Sequence, residues 1–241
     1  MAEYSCKTLD ITPLNEQIHR IRFMPENKAL FEFQGGQYII LHMPDGKRVP
    51  LSIASAPEEK DFIELHIRVV EGHSLAQDML ELFKSTDSFQ LEGTFGGCFL
   101  NDSPRDLVII AGGTGFSPMK SMIESAFSSQ SDRNIELYLG AQVINDLYQH
   151  DMINDWQSNN AHFKYVPVIS GGDENWKGAT GFPHEAAMQC DEKELVEKDF
   201  YISGSEAMMV AVYNALKEKG VEQSQIHSDI LNIKREKGEI E

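Results

Sequence analysis

The chain is short of cysteine, of positive charge and of long apolar runs, and each shortage removes a class of function. Its three cysteines, Cys6, Cys98 and Cys190, lie far apart with no C-x-x-C pair. That spacing supports no disulfide framework, and three thiolates cannot supply the four that an iron–sulfur cluster takes. Lys and Arg number 21 against 38 Asp and Glu, a net charge of −17 that would repel a phosphate backbone or an anionic membrane. No nucleic-acid or membrane partner is therefore expected. No apolar run approaches the roughly 20 residues of a membrane span, and the opening MAEYSCKTLD lacks a basic-then-apolar signal region, so the expected location is cytoplasmic. His19, His150, His162 and His184 form no zinc spacing with one another or with the cysteines, and no metal site is expected.

What remains is enough for two modest domains: 241 residues with 41% hydrophobic content. From Ser5 to about Leu100 the pattern is mostly short strands, such as IHRIRF at Ile18 to Phe23, QYIILHM at Gln37 to Met43 and FIELHIRVV at Phe62 to Val70. Turns at Pro25, Gly35-Gly36, Asp45-Gly46 and Pro57 separate them, which implies an antiparallel β-barrel over residues 1–100. One helix interrupts the strands, with Ser74 as its cap and Leu75, Met79, Leu80, Leu82 and Phe83 as its apolar face. The polar stretch NDSPR at Asn101 to Arg105 reads as a linker. Beyond it, strands at Ile135 to Gly140, Phe163 to Ile169 and Asp199 to Ser203 alternate with helices after Asp146, Pro183 and Ser205. That alternation implies a doubly wound parallel α/β sheet over residues 101–233, with residues 234–241 a charged tail expected to be disordered.

The stretch Leu107 to Phe127 changes grammar twice. A branched apolar run suits a strand buried on both faces, and Met119, Met122, Ile123, Ala126 and Phe127 later recur at helical spacing, with Ser117 placed to cap that helix and Pro118 to open it. Between them Gly112-Gly113-Thr114-Gly115 lets a ligand approach the backbone and its N–H groups. The turn lacks the Gly-Lys-Ser/Thr ending of a phosphate-binding NTPase loop. A strand-to-helix turn that needs glycine only for its geometry is the plainer alternative.

Other local words accompany this turn. Gly36-Gln37-Tyr38, Pro50-Leu51-Ser52-Ile53-Ala54-Ser55-Ala56-Pro57 and Ile63-Glu64-Leu65-His66-Ile67 lie in the first half. Gly112 to Pro118, Asp146-Leu147-Tyr148, Trp176-Lys177-Gly178 and Ile202-Ser203-Gly204-Ser205-Glu206-Ala207-Met208 lie in the second. In order and spacing the set resembles the ferredoxin-NADP reductase superfamily, and within it the bacterial NAD(P)H:flavin reductases, including the type of luminous bacteria. The resemblance covers roughly residues 5 to 230.

The resemblance implies a flavin on the barrel and a nicotinamide dinucleotide on the α/β domain. The flavin ring would lie near Pro50, Leu51 and Ser52, with the Ser52 hydroxyl beside flavin N5, able to donate or accept as the ring changes state. Ser52 is the one catalytic candidate. His66 and Ile67 would line the flavin through backbone groups, while Arg48, Arg68 and the helix start at Ser74 are candidates for its phosphate. Taken alone, His66 alternates with Glu64 and Arg68 and reads as a solvated strand histidine, and Leu51 reads equally as core. Gly112, Gly113, Thr114, Gly115 and Pro118 would receive the nicotinamide end, and Gly204, Ser205 and Met208 would close the same pocket.

Three departures shape the expected activity. The family's Arg-x-Tyr/Phe-Ser aligns with Val49-Pro50-Leu51-Ser52, so Arg48 stands one residue early and alternation points it to the opposite face. Flavin is therefore expected to exchange with solvent as a substrate, whether FAD, FMN or riboflavin. After Ser228-Asp229 the chain offers Ile230 rather than an aromatic that could stack on the ring. Gln142 stands where relatives commonly place an arginine for a 2′-phosphate, which favours NADH over NADPH. The leading expectation is hydride transfer from nicotinamide C4 to flavin N5 with release of reduced flavin. The alternatives are an FAD-retaining reductase serving a separate iron–sulfur protein or flavin-dependent oxygenase, and a non-catalytic cofactor-binding subunit.

Overall fold

A computed structural model describes residues 2–27, 31–70, 72, 74–172 and 174–240. The chain divides into two compact units, Met1–Leu100 with Ser117–Gln130, and Asn101–Phe116 with Ser131–Glu241.

In the first unit, β1 (Glu3–Pro13), β2 (Ile18–Pro25), β3 (Tyr38–His42), β4 (Arg48–Ser52), β5 (Ile63–Arg68) and β6 (Phe89–Phe95) form one sheet in the order β4-β3-β6-β1-β2-β5. Every pairing in it is antiparallel. A bridge between Ile53 and Leu65 brings the two edge strands back together, which leaves fewer open backbone groups than a flat sheet would. Asp45-Gly46 makes the β3–β4 hairpin, with Gly46 at φ 84 where a side chain would be strained. Period-two alternation on β5 sends Ile63, Leu65 and Ile67 into the barrel core, where Phe23, Phe83 and Phe89 meet edge to face.

The helix α1 (Ser74–Ser85) buries Met79, Leu80, Leu82 and Phe83 in this core; Leu75, expected on the same face, is 37% exposed. A second helix, α2 (Phe116–Ser128), joins the barrel through side-chain bonds: Ser121 Oγ donates to Ser55 O at 2.6 Å and Ser125 Oγ to Glu58 at 3.0 Å. Residues 117–130 accordingly group with the barrel and not with the sheet that flanks them in sequence.

In the second unit β7 (Leu107–Gly112) is followed, after α2, by β8 (Ile135–Ala141), α3 (His150–Asn159), β9 (Phe163–Ile169), β10 (Ala179–Thr180), α4 (Pro183–Ala187) and α5 (Glu192–Leu195). The chain ends with β11 (Asp199–Ser203), α6 (Glu206–Glu218), β12 (Ile226–His227) and α7 (Asp229–Glu236). The sheet is parallel throughout, in the order β10-β9-β8-β7-β11-β12. The chain winds outward from β7 to β10 and returns on the other side of β7 as β11. The strand order thus reverses beside β7, the place where open α/β sheets leave a crevice at their carboxyl ends.

The charged tail is partly ordered. Its first three residues continue α7, Lys234 pairs with both Glu206 and Glu239, and Ile240 packs against the core of this unit. Ile240 is the apolar anchor that a reading of the tail as wholly polar overlooks.

At the start of β11, Asp199 is fully buried. Its Oδ2 accepts from Arg133 Nη2 at 3.0 Å, while Oδ1 has no hydrogen-bond partner among the described residues and sees Arg105 Nη1 at 3.7 Å. Arg133 also donates to the carbonyls of Asn101 and Arg105, so one guanidinium ties the 101–106 segment to the sheet. Arg133→Met should cost about 3–5 kcal/mol in a urea melt, because it strands a buried carboxylate; a loss below about 1 kcal/mol would show that Arg105 alone suffices.

Candidate functional site

At the switch point of the parallel sheet, β7 ends at Gly112 and a single 3-10 turn, Gly113–Gly115, leads into α2. Gly113 has φ 55 and open space where a side chain would start, so its backbone is accessible. Gly115 is glycine for another reason: a Cβ there would lie 2.6 Å from Gly204 N and from the Ser203 carbonyl group. Gly112 and Gly204 both sit under the Met208 sulfur, which would be 2.9 Å and 2.8 Å from their added Cβ atoms. The ends of β7 and β11 are thus packed backbone to backbone under one thioether. Gly112, Gly115, Gly204 and Met208 lie together, as the resemblance implies, and packing accounts for glycine at positions 112, 115 and 204, whereas Gly113 has open space.

Two details differ from the reading of the sequence. Ser117 does not cap α2, because the helix continues directly from the 3-10 turn and begins at Phe116, whose N–H donates to the Gly113 and Thr114 carbonyls. Pro118 is then the third helical residue, where a missing N–H costs nothing. Ser117 is 2% exposed and its hydroxyl has no hydrogen-bond partner among the described residues. Ser205, by contrast, caps α6, accepting from Met208 N at 3.3 Å.

On the barrel, Val49 and Leu51 of β4 turn toward the core, and Arg48 and Pro50 are exposed on the other face. Leu51 is therefore core packing, the plainer of its two readings. Arg48 forms an ion pair with the buried Glu92, beside His42. Arg68 donates twice to Gln17 Oε1, at 2.9 and 2.8 Å. Ser74 begins α1, and its side chain lies outside the described residues, as does His73. Ser52 is half-buried at the end of β4, paired with Tyr38, and among the described residues its hydroxyl has no hydrogen-bond partner.

His66 is not solvated: it is 5% exposed, and Ile67 belongs to the core. The outer face of β5 is covered and carries a buried ionic cluster. Register places Arg22 opposite Glu64 and Arg20 opposite His66. The Glu64 carboxylate accepts from Arg22 Nε at 2.9 Å, lies 3.0 Å from His66 Nε2, and is 3.3 Å from the Lys120 ammonium of α2. Burial alone would raise the Glu64 pKa; the His66 hydrogen bond, Lys120 and Arg22 outweigh it and hold the carboxyl far below the usual range. Burial lowers the His66 pKa, so the ring is neutral and, facing an ionised carboxylate, donates from Nε2. Glu124, bonded to the same lysine, has its pKa raised by burial.

The sequence reading missed Glu64 and Lys120. Glu64, His66, Arg20 and Arg22 alternate with apolar residues as a solvated strand face does. The available signal was the i, i+4 pair Lys120–Glu124, which is equally common on exposed helices.

Residues 5–99 match the oxidoreductase FAD-binding domain family and residues 109–214 the oxidoreductase NAD-binding domain family. Among curated relatives, a CDP-6-deoxy-L-threo-D-glycero-4-hexulose-3-dehydrase reductase of Yersinia pestis is 34% identical over 226 residues, covering 94% of this chain and 68% of that one. An NAD(P)H-flavin reductase of Aliivibrio fischeri is 32% identical over 232 residues, covering 93% of this chain and 97% of that one. Among solved structures, a ferredoxin NADP+ reductase from Neisseria gonorrhoeae superposes with a TM-score of 0.76 at 19% identity, covering 94% of this chain and 97% of that one. The chain belongs to the ferredoxin-NADP reductase superfamily. It is an oxidoreductase with a flavin domain and a nicotinamide-dinucleotide domain, built for NAD(P)H-linked electron transfer. No helix among the described residues is long and apolar enough to cross a membrane.

The residues present fit these cofactors unevenly. The open backbone at Gly113 suits a dinucleotide and the unpartnered Ser52 hydroxyl suits a polar ring edge, whereas the two arginines expected at a flavin phosphate are already engaged.

A depressed pKa gives stability that is complete above the unfolded carboxylate value and is lost as pH falls through the folded one. Glu64→Gln should therefore be less stable than wild type by about 3 kcal/mol at pH 7, and that gap should narrow progressively as pH falls below about 5 in parallel chemical melts. A gap that stays constant over that range would show that Glu64 is not ionised in the fold.

Proposed function

We propose that the chain uses NADH to reduce a flavin that it binds reversibly, releasing the reduced flavin in the cytoplasm. When bound, the nicotinamide supplies a hydride at C4 and the flavin accepts it at N5, so the protein contributes positioning and hydrogen bonding rather than a nucleophile.

The observation that carries the exchangeable-flavin reading is the engagement of both candidate phosphate cations. Arg48 is held by Glu92 and Arg68 by Gln17, so anchoring a flavin tail would first break a bond each already makes. Pro50, Ser52 and the backbone of His66 and Ile67 are the barrel residues assigned to the ring. Ser52 is assigned to N5 because its hydroxyl can switch between donating and accepting and has no competing partner among the described residues. In the sheet domain Gly112, Gly113, Thr114 and Gly115 receive the nicotinamide end, with Pro118 shaping the helix start behind them. Gly204 and Met208 bound the crevice, and Ser205 holds the α6 terminus in place. The preference for NADH rests on Gln142, which carries no charge for a 2′-phosphate.

A second reading is favoured by the names of relatives: the Yersinia relative is named as the reductase of a dehydrase, with a match over 94% of this chain, and others as reductase components of oxygenases. In that reading the flavin stays bound and electrons pass to a separate iron–sulfur protein or an oxygenase. Slow turnover with free flavin but fast reduction of an added ferredoxin would select it.

Ser52→Ala should lower kcat for flavin reduction by up to about a hundredfold, the scale of one lost transition-state hydrogen bond, with little change in KM for NADH. An unchanged kcat would remove Ser52 from the chemistry. The specificity constant should favour NADH over NADPH, and the reverse order would show that a cation other than one at position 142 reads the 2′-phosphate.

A further inference from the structure

Lys120 is 5% exposed, and its ammonium faces one carbonyl and two carboxylates. It donates to Ala54 O at 3.2 Å, pairs with Glu124 at 2.9 Å and lies 3.3 Å from Glu64 Oε1. The next residue, Ser121, donates to the next carbonyl, Ser55 O, at 2.6 Å. From the other side, Ala54 N donates to Glu64 O at 2.7 Å, and Ser55 Oγ accepts from Glu64 N at 3.1 Å. Ala54 and Ser55 are thereby clamped between α2 and β5. This two-residue segment follows Ser52 with only Ile53 between, and Ile53 is itself bridged to Leu65.

A buried ammonium is a costly way to fill space, since a methionine would fill nearly the same volume without desolvation. What a methionine cannot do is hold a backbone carbonyl and two carboxylates in one fixed geometry. We propose that Lys120 is a positioning residue for Ser52: it fixes the Ile53–Ser55 backbone and through it the direction of the Ser52 hydroxyl. The groups facing Lys120 are Glu64 on β5 and Glu124 on its own helix, with His66, Arg20 and Arg22 around Glu64. The inference rests on the assignment of Ser52 to the flavin.

The test combines amide hydrogen exchange with a double-mutant cycle. In Lys120→Met the Ala54 amide should exchange at least about tenfold faster while Leu137 and Leu139 in the parallel sheet do not change. The same variant should lose about tenfold in kcat with KM for NADH within about twofold, and should lose almost nothing further in a Ser52→Ala background. A lysine that served only general stability would give losses that add in full. Additive losses, or unaltered Ala54 exchange, overturn the proposal. An inert Ser52→Ala sinks the Ser52 assignment and the aiming role with it, whereas the exchange result then still reports whether the clamp exists. If Lys120→Met does not fold, the pair Glu64→Gln with Lys120→Met removes both charges and leaves no orphaned carboxylate on β5. It should show the same exchange and the same non-additivity, and the same outcomes decide against it.

Discussion

Glu64 is a carboxylate held almost entirely out of water, and much of the barrel unit is arranged to make that tolerable. Desolvation of such a group costs several kcal/mol unless charge and hydrogen bonds return it. Here they come from three elements: Arg22 on the neighbouring strand, His66 on the same strand, and Lys120 on α2. Because the partners are spread in this way, satisfying one carboxylate fixes a strand pair and a helix together. The backbone between β4 and β5 is caught in the same arrangement, since Ala54 and Ser55 bond to both β5 and α2. Two residues beyond Ser52 the backbone is thus hydrogen-bonded on both sides.

In the sheet unit the equivalent constraint is steric. The strand order reverses beside β7, and the strand ends at that point are packed so closely that Gly115 admits no side chain. Met208 lies over Gly112 and Gly204 and covers both with a soft, polarisable thioether. Of the glycines in this turn, Gly113 keeps open space beside a left-handed backbone, while Gly112 and Gly115 are committed to packing. One short turn thus combines close packing at Gly112 and Gly115 with an open backbone at Gly113.

The parallel sheet was legible because its strands are buried on both faces: Leu107 onward, Phe163 to Ile169 and Asp199 to Ser203 read as strands without reference to anything else. β1 and β6 were not singled out, because their polar residues owe the strand conformation to pairing with each other and with β2 and β3. The start of α2 was misplaced for a local reason, since a 3-10 turn running straight into the helix leaves no room for a capping serine. Of the candidate site, the glycines and Ser52 were legible as motif residues. The engagement of Arg48 by Glu92, the packing of Leu51 and the burial of His66 and Lys120 depend on which face of a strand is covered, and by what. Alternation alone cannot say that.

The most direct measurement is the visible spectrum of the purified chain, followed by anaerobic NADH oxidation with and without added FMN. A colourless protein that oxidises NADH only when FMN is supplied is the result expected of a reductase whose flavin comes and goes. A yellow protein whose colour survives dialysis and is bleached stoichiometrically by NADH would contradict it, and would mean that Arg48 or Arg68 leaves its present partner to hold a resident flavin.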